Sequence, residues 1–174
     1  MAKVIIPKTY IKNINKPVIF LAGPVRSAPN WQDVAIQYLF SQNPNLIIVS
    51  PRRGIRKKIA PYIFKGNNTY FSRQREWERH YLDIASKKGC ILFWLPEEQK
   101  HDCKKVYGAM TRIEIGQWIT NYRYNPSVRF CIGSDNKFPE MHTITYDLTI
   151  DAPDKKIFPF LKKTCLEALK IASQ

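Results

Sequence analysis

The chain has 174 residues, with 28 Lys and Arg against 14 Asp and Glu, for a net charge of +14. At 44% apolar and 13% aromatic residues it can bury one packed core, which excludes wholesale disorder. No run approaches the ~18 apolar residues of a membrane span, and the first seven residues lack a signal-peptide pattern, so a cytoplasmic protein with no membrane partner is expected.

The charge is uneven. Residues 1–70 carry eleven bases and one acid, Asp33, whereas residues 71–121 and 122–174 are each only +2. An excess of this kind speaks of partners rather than of fold. The four cysteines show no Cys-x-x-Cys spacing, and His101 and Cys103 have no second ligand pair nearby, so no zinc site is expected.

Residues 1–16 read as a basic, irregular arm, and residues 17–174 as a single domain. Val18–Ala22 is a continuous apolar run ending at Gly23-Pro24, the pattern of a strand buried on both faces. A helix follows from Trp31 to Phe40, with Asn30 as its cap and Trp31, Val34, Ala35, Tyr38 and Leu39 on its apolar face. Leu46–Val49 is a second strand, stopped by Pro51. Residues 52–70 form an inserted loop rich in bases, among them Arg52, Arg53, Arg56, Lys57, Lys58 and Lys65. It is too long for an ordinary connection, which marks it as functional or mobile.

Ser72 is placed to cap a helix from Arg73 to about Ala85, with Trp77, Tyr81, Leu82 and Ala85 as its stripe. Cys90–Leu95 is a third strand, then a polar loop leads to a helix over 109–121. Val128–Ile132 is a fourth strand, 142–148 reads as a fifth, and 154–172 is an amphipathic helix begun or broken at Pro159. Such alternation predicts an α/β fold: a Rossmann-like or flavodoxin-like, doubly wound, five-stranded parallel sheet in three α/β/α layers. Ligands bind such sheets outside the carboxyl ends of the strands. The loops to read are therefore 23–30, 51–70, 96–108 and 133–141.

Three features in or beside those loops carry chemistry. Gly23-Pro24-Val25-Arg26 leaves the first strand toward a helix start, a candidate cradle for phosphate or hydroxyl, although a plain turn reads the same way. Glu114 lies early in the third helix among Ile113, Ile115 and Trp118. The helix start favours its charge and burial opposes it. Such a carboxylate can attack an anomeric carbon; a surface or capping glutamate has the same pattern. Glu78, near Gln74, is a second carboxyl able to shuttle a proton, or else a surface residue paired with Arg75 or Arg79. Asp83 is its rival but should point elsewhere.

In order along the chain, Ile19-Phe-Leu-Ala-Gly-Pro24 with Trp31, Ser50-Pro51, Gln74-x-x-Trp-Glu78, Ile91-Leu-Phe-Trp-Leu-Pro96 and Thr111-Arg-x-Glu-x-Gly-x-Trp118 resemble the nucleoside 2-deoxyribosyltransferase family in its broader, transferase-like branch. The resemblance spans about residues 18–132. It implies a cofactor-free and metal-free enzyme that cleaves the N-glycosidic bond of a 2′-deoxynucleoside or nucleotide through a covalent glycosyl intermediate on Glu114. The sugar then passes to a second nucleobase. It implies Glu78 as the group that binds and protonates the base, and Phe20, Gly23, Pro24, Arg26, Gln74, Trp77, Thr111 and Arg112 as substrate-binding residues. It also implies a homo-oligomer whose sites are completed by a neighbouring subunit, for which Asp135 and Asn136 are stand-ins.

The chain departs from the family's pattern in places. Phe20 stands where studied transferases have a tyrosine that bonds the nucleophile, and Ser86 stands where many relatives have aspartate. Lys87-Lys-Gly89 looks inserted, and Thr111-Arg112 fill a stretch where some transferases carry an acid. The enzyme alternative is a (deoxy)nucleoside 5′-monophosphate N-hydrolase, with Arg52 and Arg53 as candidate phosphate ligands. The alternative from another class is a basic nucleic-acid-binding module without catalysis, using the arm, Arg52–Lys58 and stacking by Trp31, Tyr62, Tyr70 and Phe71. With no recognised nucleic-acid motif present, a small nucleoside or nucleotide is the expected partner.

Overall fold

The computed structural model describes residues 3–52, 63–64 and 74–174. Seven strands form one sheet in which every pairing is parallel: β1 (Lys3–Ile5), β2 (Val18–Ala22), β3 (Ile47–Val49), β4 (Ile63–Phe64), β5 (Gly89–Leu95), β6 (Phe130–Ser134) and β7 (Ile157–Phe158). Five helices accompany them: α1 (Trp31–Gln42), α2 (Gln74–Lys88), α3 (Ala109–Tyr124), α4 (Met141–Asp151) and α5 (Leu161–Ala172). The strand order is β4-β1-β3-β2-β5-β6-β7. Its last five members have the doubly wound, flavodoxin-like order, with the winding reversing between β2 and β5. β1 and β4 extend that sheet beyond β3, so the expected five strands become seven.

The central strands are buried on both faces, and their side chains alternate between two cores. Phe20, Phe93 and Phe130 meet α2, α3 and α4 on one face, whereas Ile19, Leu21, Leu92 and Trp94 meet α1 and α5 on the other. Cys90, Cys131 and Cys165 belong to the second core, where thiols act as small apolar groups, and Cys103 is exposed.

Several sequence expectations change. Residues 3–16 are not irregular throughout. Lys3–Ile5 pair with β3, and the following segment is pinned to α2. Trp77 Nε1–H donates to the Thr9 carbonyl at 2.8 Å, and the Ile11 N–H donates to the Tyr81 hydroxyl at 3.1 Å. Residues 142–148 are helical within α4. Their β-branched Thr and Ile residues suggest a strand, but Met141, Ile144 and Leu148 recur at helical spacing and are the buried ones. The real fifth strand of the doubly wound set is the short β7, after which α5 begins at Leu161. In α1 Asn30 caps as expected, its side chain accepting from the Asp33 N–H, but Val34 is 49% exposed while Gln32 and Ile36 turn inward. Lys87 and Lys88 close α2 and Gly89 opens β5, so nothing bulges there. Ser72, Arg73 and most of the 52–70 loop lie outside the described residues.

No helix among the described residues is long and apolar enough to cross a membrane.

Candidate active site

A cavity of about 900 Å³ opens at the carboxyl ends of β2 and β3, beside the point where the winding reverses. Three segments shape it: the loop after β2, the loop from β5 into α3, and the first turns of α2. Phe20, Gly23, Pro24, Arg26, Arg52, Gln74, Glu78, Thr111 and Glu114 all line it. Nine of the residues singled out from sequence thus converge on one opening.

The loop after β2 is rigid for identifiable reasons. Gly23 has φ +149°, and a Cβ there would lie 2.3 Å from the Trp94 carbonyl oxygen and 2.8 Å from the Trp31 ring. Only glycine fits. The Pro24 carbonyl accepts from Trp31 Nε1 at 2.9 Å and from Gln32 Nε2 at 3.2 Å. Buried Gln32 in turn accepts from Arg52 at 3.5 Å, linking the ends of β2 and β3. The Ser27 carbonyl accepts from the Gln99 N–H at 2.7 Å, tying this loop to the one after β5. Gly23→Ala is expected to cost about 3 kcal/mol or more, because backbone must move to admit one methyl group. Thermal unfolding should fall by roughly 6–12 °C, and calorimetry of the purified variant checks it.

The α3 end is built differently. Gly108 precedes the helix with φ +64° and makes no side-chain cap. A Cβ there would strike the Phe138 ring at 2.5 Å. The tight turn brings Ala109, Met110 and Thr111 to the cavity wall. Tyr107, buried, donates its hydroxyl proton to the Pro96 carbonyl at 2.9 Å and fixes the loop. Burial raises its phenol above the ordinary range, so it stays a donor at neutral pH.

Glu114 sits one and a half turns into α3 and is only 7% exposed. Arg75 Nη1 donates to Glu114 Oε1, and the same nitrogen lies 3.5 Å from Glu78 Oε2. Gln74 Nε2 donates to the other Glu78 oxygen at 2.9 Å. The two carboxylates therefore share one guanidinium, and Gln74 orients the outer one. Burial pushes the Glu114 carboxyl up from 4.5 to about 7, Arg75 holds it back, and Glu78 adds a smaller upward push by like charge. A carboxylate poised near neutrality in a cavity wall is the electrostatic pattern of a reacting group.

Not every expected residue is here. Trp77 is fully buried in the core, not in the cavity wall. Gln74 and Glu78 are four residues apart and share a helix face, whereas Trp77 faces the sheet. Arg112 stands two positions before Glu114, on another side of α3. Its guanidinium lies 5.4 Å from the Phe138 ring centroid, in a separate small cleft against α4. Of the neighbours expected around Glu114, Ile113 is 58% exposed, whereas Ile115 and Trp118 are buried. Asp83 is exposed and paired with Lys87 at 2.8 Å, which removes it as a rival to Glu78. Asp135 accepts from the Glu97 N–H at 2.8 Å and so supports the β5 loop, and neither it nor Asn136 lines the cavity. Arg53, Tyr62, Tyr70 and Phe71 lie outside the described residues, and Trp31 is buried.

Sequence reasoning does not single out Asp102, Lys105, Val106, Tyr107, Ala109 or Met110, which also line the cavity, and it misses the bridging role of Arg75. From sequence, Arg75 is only a surface partner for Glu78. The 39 residues between Arg75 and Glu114 leave no local spacing from which that pairing can be read. Among the described residues no group of three or more His, Cys, Asp or Glu is arranged to hold a metal ion.

No family model matches the chain, and neither a curated protein nor a solved structure matches it.

Proposed function

We propose that the chain is a nucleoside 2-deoxyribosyltransferase-like enzyme that cleaves the N-glycosidic bond of a 2′-deoxynucleoside or its 5′-monophosphate. The observation that carries this reading is the buried Glu114, poised near neutrality and bridged through Arg75 to a second carboxylate in a cavity with room for a nucleoside. A Glu114 oxygen bonds to C1′ as the C1′–N bond breaks, and the electron pair leaves with the base. Glu78, when protonated, supplies the proton that the departing nitrogen takes. A second base or water then attacks C1′, the ester to Glu114 breaks, and the incoming nucleophile gives up its proton to Glu78. Phe20, at the cavity wall, offers the sugar an apolar face and no hydrogen bond to Glu114.

A specific observation favours a phosphorylated substrate, in either the transferase or the N-hydrolase form. Arg26, Arg52 and Lys105 line the same cavity as Glu114, giving cationic groups for a 5′-phosphate. Incubation with deoxynucleoside or its monophosphate, with and without a second base, separates the forms. Base exchange without net loss of glycoside marks transfer, and base release without acceptor marks hydrolysis. Arg26→Ala with Arg52→Ala is expected to raise KM for the monophosphate by about 10–100-fold, leaving the nucleoside nearly unchanged. Equal effects on both substrates would remove the phosphate from the reading.

A further inference from the structure

The bases among the described residues do not crowd the cavity. Of the six described in residues 3–52, only Arg26 and Arg52 line it, and acidic groups such as Glu78, Glu114 and Asp102 share that wall. The uncompensated charge lies elsewhere. In an all-parallel sheet every strand begins at one end, here the end opposite the cavity. Lys16 leads into β2, Lys88 into β5, Arg129 into β6 and Lys156 into β7.

Register holds the first three close together. Val18 pairs with Gly89, so Lys88 is level with Pro17, and Ile91 pairs with Phe130, so Arg129 is level with Cys90. Neighbouring strands stand ~4.8 Å apart, with a rise of ~3.3 Å per residue. The start of β6 is also fixed to the end of α2, the Arg129 N–H donating to the Ser86 carbonyl at 2.9 Å. Lys16, Lys88, Arg129 and Lys156 make no ion pair among the described residues. The nearby acids are already engaged: Asp83 with Lys87 at 2.8 Å, Asp151 with Arg123 at 3.1 Å, and Asp154 with the Tyr122 hydroxyl at 2.6 Å.

α3 ends at this same edge on Tyr124, which is 79% exposed with the Arg123 guanidinium 5.8 Å from its ring centroid. A row of bases beside an open aromatic ring matches a phosphate backbone with a base to stack. By contrast, exposed Val106 and Met110, apolar groups a lipid layer would take up, lie at the cavity mouth. We infer that the amino end of the sheet, around Lys16, Lys88, Arg129 and Tyr124, is a docking surface for single-stranded nucleic acid. This surface is independent of the chemistry assigned to the cavity.

Fluorescence anisotropy of the full chain with a short labelled oligothymidylate or oligouridylate tests it. Three phosphate contacts predict about a twentyfold loss of affinity between about 50 and about 200 mM salt. Lys88→Glu combined with Arg129→Gln should weaken binding about tenfold or more at the lower salt, with unchanged thermal unfolding. Tyr124→Ala should weaken it by about fivefold or more, as loss of one stacked base does. The inference is overturned if these variants bind like the parent, or if binding falls instead with Arg26→Ala and Arg52→Ala. Binding to phosphatidylserine vesicles without binding to either oligonucleotide would overturn it too.

Discussion

Glu114→Gln is expected to lower cleavage of a 2′-deoxynucleoside or its monophosphate by on the order of 10³-fold or more, because an amide cannot form the bond to C1′ on which the proposed reaction depends. The amide keeps the shape of the side chain and its contact with Arg75, so the fold should survive. Its pH behaviour gives a second readout. The carboxyl is raised from 4.5 to about 7 in the folded chain, so the native state prefers it protonated. Its stabilising contribution is full below 4.5 and lost as pH rises through about 7. An amide has no such loss. Relative to the parent, the Glu114→Gln variant should therefore unfold at higher temperature on the alkaline side of that window than on its acid side. Rates of base release and unfolding curves at both ends of the window check the two parts separately.

Arg75→Met is expected to have the next largest effect, and in a different form. Arg75 is the group that opposes burial at Glu114, through charge and through a hydrogen bond. Attack on C1′ requires the ionised carboxylate, so kcat/KM in the parent should rise with pH through about 7. Without Arg75 that limb moves to higher pH, and activity at neutral pH falls by about 10–100-fold. Raising the pH should recover much of the loss, and Arg75→Lys should restore part of it. A variant with the parent's pH profile and a uniformly lower rate would assign Arg75 a structural role only. Glu78→Gln should move the limb slightly the other way, since one like charge disappears.

These predictions rest on features of unequal legibility in the sequence. β2 and β5 are readable because strands buried on both faces show as unbroken apolar runs ended by Gly-Pro or Pro. The open-sheet rule then points to the end of the sheet that holds the cavity, and the placing of Glu114, Glu78, Gln74 and Gly23 there follows from single loops or helix faces. What stays hidden depends on distant pairings. β1 is three residues long and gains its place only between β3 and β4, both more than forty residues away. The Arg75 bridge joins two helices. Trp77 reads as a site residue because of its neighbours Gln74 and Glu78, yet one step along a helix turns a side chain from cavity to core. The 142–148 stretch shows β-branched composition overridden by a buried helical stripe.

The net charge is the feature the structure redistributes most. Only two of the described bases among residues 3–52 face the cavity, whereas the opposite end of the sheet holds a row without acidic partners among the described residues.

Everything proposed for the cavity turns on a bond between Glu114 and the sugar. Rapid quenching of the enzyme during turnover of a 2′-deoxynucleoside or its monophosphate, followed by intact-mass and peptide analysis, looks for that bond itself. The expected result is an adduct on the peptide carrying Glu114, one 2-deoxyribosyl unit from the nucleoside or its 5-phosphate from the monophosphate, absent from the Glu114→Gln variant. Base release with no adduct, and with full activity in that variant, would contradict it.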